Sequence, residues 1–286
     1  MACKFKLSFI TDEVSQDIGE AISFAKHFGI TALELRSVDG LSPFAFTDET
    51  IKNIKEKLAE NQMTVCALSS PLFKCEIMDE KSIAEHIVAF ERLAGYAKEL
   101  SVPFIRGFDF FDTGASLEER AEKYRPIIEI CKKYDVTVLI EYDPTLHAST
   151  PEKVAEFVDF VNDPTIKALY DPGNGLWKEP DSAPYPTGYD VLKPYIRHIH
   201  IKDAAYENGK LVAVKVGDGI VDYKGLFNRL ISDGYTGYIS LETHYRKNHL
   251  LSEELLKLPG GHSFSDGAME ASFESMESLI EILHNI

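Results

Sequence analysis

Short runs of apolar, β-prone residues alternate along the chain with longer stretches in which apolar residues recur every three or four positions. The first pattern reads as a strand buried on both faces, the second as an amphipathic helix packed against it. Strands are predicted at 5–10, 31–37, 63–70, 103–108, 137–142, 166–171, 196–201 and 237–242, with helices at 17–29, 48–61, 79–100, 117–134, 152–162, 189–195, 223–233 and 268–283. Asp17 caps the first helix, whose apolar positions Ile18, Ile22, Ala25 and Phe28 share a face, and Gly29 ends it. Ser149-Thr150-Pro151 marks the start of the fifth helix, and a hairpin is expected around Glu207-Asn208-Gly209. Strand–helix alternation predicts a parallel sheet. Eight such units with polar residues at the strand C-termini favour a closed (β/α)₈ TIM barrel over an open doubly wound sheet. One domain spanning 1–286 is expected, with long loops after strands 6 and 8.

Four of these strands end in residues that can bind a metal: Glu141 in VLIEYDP, Asp171 in ALYDPGNG, His200 in HIHIKD and Glu242 in YISLETHY. The intervals between them are 30, 29 and 42 residues, and one strand–helix unit fills about thirty. Three carboxylates and one imidazole suit a single divalent ion, Mn²⁺, Mg²⁺, Co²⁺ or Zn²⁺. Strand alternation turns His198, His200 and Lys202 to one side, with His200 the better ligand and His198 an orienting or core residue. Glu34 and Arg36 also share a parity, so they form an internal salt bridge under the site or touch substrate. Candidate substrate contacts are Arg36, His147, Asn174, Trp177, His198 and Arg246. The loop after strand 6 holds Trp177 among Pro172, Pro180, Pro184 and Pro186, and the loop at 245–267 holds Arg246, Pro259, Gly260, Gly261, His262 and Phe264. Loops of this length in a compact domain are typically lids or binding segments. Blander readings apply to several of these residues: Lys202 and Asp203 as a surface ion pair, Asp218 as turn chemistry, Trp177 packed under a lid, Asn174 turning its loop, and FDFF at 108–111 as core.

Charge and composition narrow the partners. A net charge of −16 with no basic run disfavours nucleic acid and acidic membranes. The N-terminal apolar stretch is too short for a signal peptide, and no run approaches a membrane span. The 4 cysteines form no CxxC pair, as expected of reduced thiols in a cytoplasmic protein. Neither GxGxxG nor GxxxxGK[ST] is present, which leaves dinucleotide and P-loop functions unsupported. The expected partner is a small-molecule sugar or sugar derivative. Oligomeric state stays open, a homo-oligomer included.

In ALELRS on strand 2, IEYDP on strand 5, YDPGN on strand 6, HIHIKD on strand 7, VGDGIVDYKGL after it and SLETHY on strand 8, the chain resembles the xylose-isomerase-like TIM-barrel superfamily of sugar-phosphate isomerases and epimerases. The resemblance covers essentially the whole chain. It implies that Glu141, Asp171, His200 and Glu242 bind one divalent cation. Two departures stand out. Asn174 occupies a position where many members carry histidine. Strands 3 and 4, ending in ALSSP and FIRGFDFF, lack the extra histidines of the endonuclease IV-like branch, which argues against phosphodiester cleavage. The leading expectation is a metal-dependent isomerase or epimerase of a ketose or related polyol. It would act through a metal-stabilised enediolate, with Glu141 and Glu242 as the acid/base pair. The alternative is a lyase that dehydrates a keto-inositol, with Lys202 protonating the leaving hydroxyl, or a C-glycoside-cleaving component on the same scaffold. A non-catalytic sugar-binding barrel is a third reading, disfavoured because all four ligands are present.

Overall fold

A computed structural model describes residues 5–178, 184–257 and 259–286; Cys3 and Pro180 lie outside them. The strands are β1 (Lys6–Phe9), β2 (Ala32–Leu35), β3 (Thr64–Leu72), β4 (Phe104–Gly107), β5 (Thr137–Glu141), β6 (Ile166–Tyr170), β7 (Ile196–Ile201), β8 (Asp203–Glu207), β9 (Lys210–Val214) and β10 (Tyr238–Leu241). Eight of them form one parallel sheet in the order β1-β10-β7-β6-β5-β4-β3-β2. A single parallel bridge from Ile10 to Glu34 joins the two ends, so the barrel is nearly closed. β8 and β9 form the expected hairpin, with Asn208 and Gly209 both at positive φ (51° and 78°) in its two-residue turn.

The helices between the strands are α1 (Ile18–His27), α2 (Asp48–Asn61), α3 (Glu80–Glu99), α4 (Leu117–Tyr134), α5 (Pro151–Val161), α6 (Pro172–Lys178), α7 (Tyr189–Leu192), α8 (Tyr223–Ser232), α9 (Glu253–Lys257), α10 (His262–Ser265) and α11 (Ala268–His284). Local chemistry sets their starts. The Asp17 carboxylate accepts from the Gly19 and Glu20 amides, Thr150 caps α5 ahead of Pro151, and Ser116 with Glu119 forms a capping box on α4. Ile83, Phe90, Leu93 and Ala97 on α3 are buried, as their spacing predicts. Two segments differ from expectation. Residues 172–178, expected as loop, form α6, and the long loop after β10 contains α9 and α10. A helix at 172–178 is easy to miss because Pro172 and two glycines dominate its composition, yet proline is tolerated in the first helical turn.

Three register shifts shape the barrel's interior. Cys66 is an extra residue on β3 opposite the Leu33–Glu34 step, Arg197 is an extra residue on β7 opposite Ala168–Leu169, and β3 bulges again between Leu68 and Leu72. Bulges of this kind re-aim side chains at barrel rims. The last one carries Ser69 and Pro71, which reach the cavity described below. Among the described residues, no helix is long and apolar enough to cross a membrane.

Candidate metal centre and cavity

Parallel strands bring their C-terminal ends to one rim. Glu141 is the last residue of β5, Asp171 follows β6, His200 is the penultimate residue of β7 and Glu242 follows β10. All four are buried, and one ligand atom from each lies within 4.8 Å of those of the others. His200 spans two layers. Its Nδ1 is 3.2 Å from Glu141 Oε1 and 3.4 Å from Glu242 Oε2, while its Nε2 points down to Glu34 Oε1 at 2.9 Å.

Cations thread this carboxylate cluster. Lys202 Nζ lies 2.7 Å from Asp171 Oδ2 and 2.5 Å from Glu242 Oε2. Arg106 Nη1 is 3.1 Å from Glu141 Oε2 and 3.8 Å from Glu242 Oε1. Arg36 reaches Asp12 at 3.0 Å, Glu13 at 2.8 Å and Glu242 at 2.7 Å. These charges divide the carboxyls. Burial works to raise all of them. It prevails at Asp171, whose carboxyl is pushed up to about 7 against the pull of Lys202. At Glu242 burial is outweighed by Lys202, His244 and His200, which hold the carboxyl well below its ordinary range. Arg106 and then His200 lower Glu141 in the same way. Burial would lower His200, but Glu34 and the two rim glutamates raise it well above an ordinary imidazole. Glu34 in turn is held well below the usual carboxylate range, because His200 and His198 overcome its burial.

The donor chemistry fits one divalent cation. The set is buried and convergent, its three carboxylates favour a hard ion, and its imidazole nitrogen widens the choice to borderline metals. Two other acidic groupings, Glu34 with Cys66 and His198, and Glu13 with Glu242 and His244, share residues with this network.

Above the quartet lies a cavity of about 330 Å³. Glu141, Lys202, Glu242 and His244 line its inner end, and Arg36, Lys74, Arg106, Phe108, Asp143 and Asn174 line it too. The loop after β10 contributes Leu256, Pro259, Gly260 and Gly261. That loop is fastened across the barrel mouth. The Gly261 amide donates to Ser37 Oγ at 3.1 Å, Gln16 Nε2 donates to the Gly261 carbonyl at 3.0 Å, and the Ser37 hydroxyl donates to Gln16 Oε1 at 2.7 Å. Phe264 lies between the Arg36 and Arg246 guanidiniums, 4.6 and 5.0 Å from its ring centre.

Of the residues singled out from sequence, Glu141, Asp171, His200, Glu242 and Lys202 converge, and Arg36 and Asn174 line the cavity. Asn174 Nδ2 donates to the Tyr142 carbonyl at 2.9 Å and, more weakly, to Glu141 Oε1 at 3.4 Å. Four candidate substrate contacts lie elsewhere. His147 pairs with Asp112 at 3.2 Å and accepts from the Thr113 amide. Trp177 is 40% exposed and off the cavity. His198 is fully buried on Glu34 at 2.7 Å. Arg246 is buried against Glu13 and donates to the carbonyls of Thr243, Tyr245, Phe264 and Asp266.

Three blander readings also change. Glu34 and Arg36 do not pair with each other, because each meets partners from other strands. Asp203 is no surface ion pair. It is buried and accepts the amides of Ala204, Gly217, Gly219 and Val221, which fixes the VGDGIV turn. A side chain at Gly219 would collide with that carboxylate. Phe108 lines the cavity, so FDFF is not purely core. Lys74, Asp143 and His244 went unnoticed in the sequence. Asp143 and His244 sit two residues past Glu141 and Glu242, so strand parity alone pointed them at the same mouth; no comparable signal marked Lys74.

The sequence model of the xylose isomerase-like TIM barrel family matches residues 22–283. Among curated proteins, the chain is similar to the inosose dehydratase of Yersinia enterocolitica, 23% identical over 145 residues that cover 46% of this chain and 48% of that one. It thus spans about half the length of the inosose dehydratases it matches. It is also similar to the L-ribulose-5-phosphate 3-epimerase of Escherichia coli K12, 22% identical over 235 residues, covering 78% of this chain and 81% of the epimerase. Among solved structures, the IOLI protein with a bound zinc atom superposes with a TM-score of 0.73 at 20% identity, over 98% of this chain and 99% of the other. With the matching family model spanning nearly the whole barrel, the chain belongs to the xylose isomerase-like TIM barrel family.

Proposed function

We propose that the protein is a divalent-metal-dependent isomerase or epimerase of a ketose or related polyol. The observation that carries this reading is the convergence of Glu141 and Glu242 on His200 Nδ1, with Asp171 in the same cluster and both glutamates lining the cavity. The two glutamates come from the C-terminal ends of β5 and β10, which have β6 and β7 between them in the sheet. They can therefore flank a bound substrate. The hard step is removal of a C–H proton beside a carbonyl. The cation and imidazole neighbours of Glu141 and Glu242 keep both ionised at neutral pH, so either can accept that proton. One ionised glutamate takes the substrate proton, and the other, once it has picked up a proton from solvent, delivers it to the opposite face for epimerisation or to the neighbouring carbon for isomerisation. A divalent ion held by Glu141, Asp171, His200 and Glu242 would supply positive charge to the oxygens of the developing enediolate. Asn174 and Arg36 offer donors to substrate hydroxyls, and the loop around Gly260 forms part of the cavity wall. A volume of about 330 Å³ is at the small end of ligand cavities, which suits a monosaccharide-sized substrate. The similarity to an L-ribulose-5-phosphate 3-epimerase over most of both chains supports the same reading. The free thiols of Cys66, Cys75 and Cys131 support a reducing, cytoplasmic location.

Lys202 favours a second reading. Its ammonium lies within reach of the same proton-abstracting carboxylate, Glu242, where it can protonate a departing hydroxyl. That chemistry would dehydrate a keto-inositol, and the partial match to inosose dehydratases points the same way. Incubation of the Mn²⁺-loaded protein in D₂O with a panel of ketoses and keto-inositols separates the two. Deuterium in a substrate of otherwise unchanged mass supports epimerisation or isomerisation, and a product lighter by one water supports dehydration. If neither occurs with any substrate, or if Glu242→Gln retains the full rate, the acid/base assignment fails.

A further inference from the structure

We propose that Glu34 is a positioning residue that selects the nitrogen with which His200 faces the metal-binding carboxylates. This rests on the metal site proposed above. Glu34 lies on β2, at the bridge that joins the barrel's ends, and is completely buried one layer beneath the quartet. Three groups converge on its carboxylate. His200 Nε2 is 2.9 Å from Oε1, Ser69 Oγ is 2.5 Å from the same oxygen, and His198 Nε2 is 2.7 Å from Oε2. An ionised carboxylate only accepts hydrogen bonds, so each of these partners must donate, and both imidazoles carry a proton on Nε2.

The consequence lies at the other end of the His200 ring. A coordinating imidazole is neutral and has a single N–H. With that proton committed to Glu34, the Nδ1 lone pair is the one that faces Glu141 and Glu242. Left to themselves, the rim carboxylates would favour the opposite tautomer, because an Nδ1–H could donate to Glu141 at 3.2 Å. A ring protonated there could not accept a metal. Glu34 opposes that preference from below. His198 completes the device. It lines no part of the cavity, its Nδ1 has no hydrogen-bond partner among the described residues, and its hydrogen bond from Nε2 anchors the second Glu34 oxygen, which stops the carboxylate turning away from His200. Partners of this kind typically contribute 10- to 100-fold to metal affinity.

The test has two arms. Imidazole ¹⁵N NMR of the full-length wild-type protein, with and without Zn²⁺, reads the tautomer directly. His200 Nε2 should remain protonated in both states, and Zn²⁺ should shift Nδ1. A deprotonated Nε2, or a Zn²⁺ shift on Nε2, overturns the proposal. In the second arm, calorimetry compares Zn²⁺ binding to wild type and Glu34→Gln, with circular dichroism confirming the fold. The amide retains the shape but has one acceptor oxygen and no charge, so Kd should rise about 10- to 100-fold. An unchanged Kd in a folded variant overturns the proposal. If the wild type itself takes up no divalent ion, the metal reading of the site fails, and a difference in the His200 ¹⁵N signature between wild type and Glu34→Gln still decides whether Glu34 holds the His200 ring.

Discussion

Replacing Lys202 with methionine should tighten metal binding and, on the dehydratase reading, abolish turnover. The Lys202 ammonium contacts Asp171 Oδ2 at 2.7 Å and Glu242 Oε2 at 2.5 Å, and both oxygens belong to the proposed ligand set. An ion that takes these oxygens must first dislodge the ammonium. Each hydrogen bond to a charged group contributes about 1.5–3 kcal/mol. The displaced lysine recovers part of this by solvation in the cavity, so the net competition is about 1.5–3 kcal/mol, or 10- to 100-fold in Kd. Methionine fills the space of the lysine stem without competing. The metal-free variant, by contrast, should be less stable by about 3–5 kcal/mol, because two buried carboxylates lose a shared partner. Two measurements read this: titration calorimetry with Mn²⁺ at neutral pH, and thermal unfolding with and without Mn²⁺. The variant should bind more tightly and gain more in Tm from the ion than the wild type does. Equal or weaker binding by a folded variant would show that the ammonium does not compete for these oxygens, and the ligand set would have to exclude Asp171 or Glu242.

Other consequences can be checked independently. Asp203→Ala removes the buried acceptor of four backbone amides at 3.0–3.3 Å and should cost about 3–5 kcal/mol in urea unfolding, whereas Asp218→Ala, at an exposed position in the same turn, should stay within about 0.5 kcal/mol; similar losses would refute the assigned role of Asp203. Burial lowers the His86 pKa below 6.5, and its Nδ1 accepts the Phe73 amide at 2.9 Å, so the folded state holds the ring neutral. The unfolded chain then binds the extra proton, and this contribution to stability is present above pH 6.5 and lost as pH falls below it; His86→Gln should flatten the stability–pH curve below pH 6.5, and an unaltered slope would sink the assignment. Burial also pushes the Cys131 thiol up to about 12 and Cys66 higher still, so neither should react with a disulfide reagent at about pH 8 until the protein unfolds, as peptide mapping of labelled protein would show.

The quartet was legible because two sequence signals coincided at each position: an apolar run long enough for a doubly buried strand, and a ligand residue where that run stops. The partners of Glu34 and Arg36 were not legible, for a geometric reason. Strand parity says that both side chains point inward, but it does not say which strands stand opposite once the barrel closes. Two residues along a strand is one layer of the interior. Glu34 therefore meets His198 and His200 of β7 across the barrel, while Arg36, one layer higher, meets Asp12 and Glu13 beyond β1 and Glu242 beyond β10. Trp177 and His147 do not line the cavity; they lie beyond strand ends, where no periodicity fixes direction, and their chemistry alone suggested a role. The same layering bears on the reaction. His198, His200 and Lys202 stand on one strand at successive depths: the first ties down Glu34, the second joins Glu34 to the rim carboxylates, and the third reaches the cavity. A change in the lowest layer should therefore weaken metal binding, and a change in the highest should tighten it. That separation would not exist if the three basic residues formed one undifferentiated polar cluster.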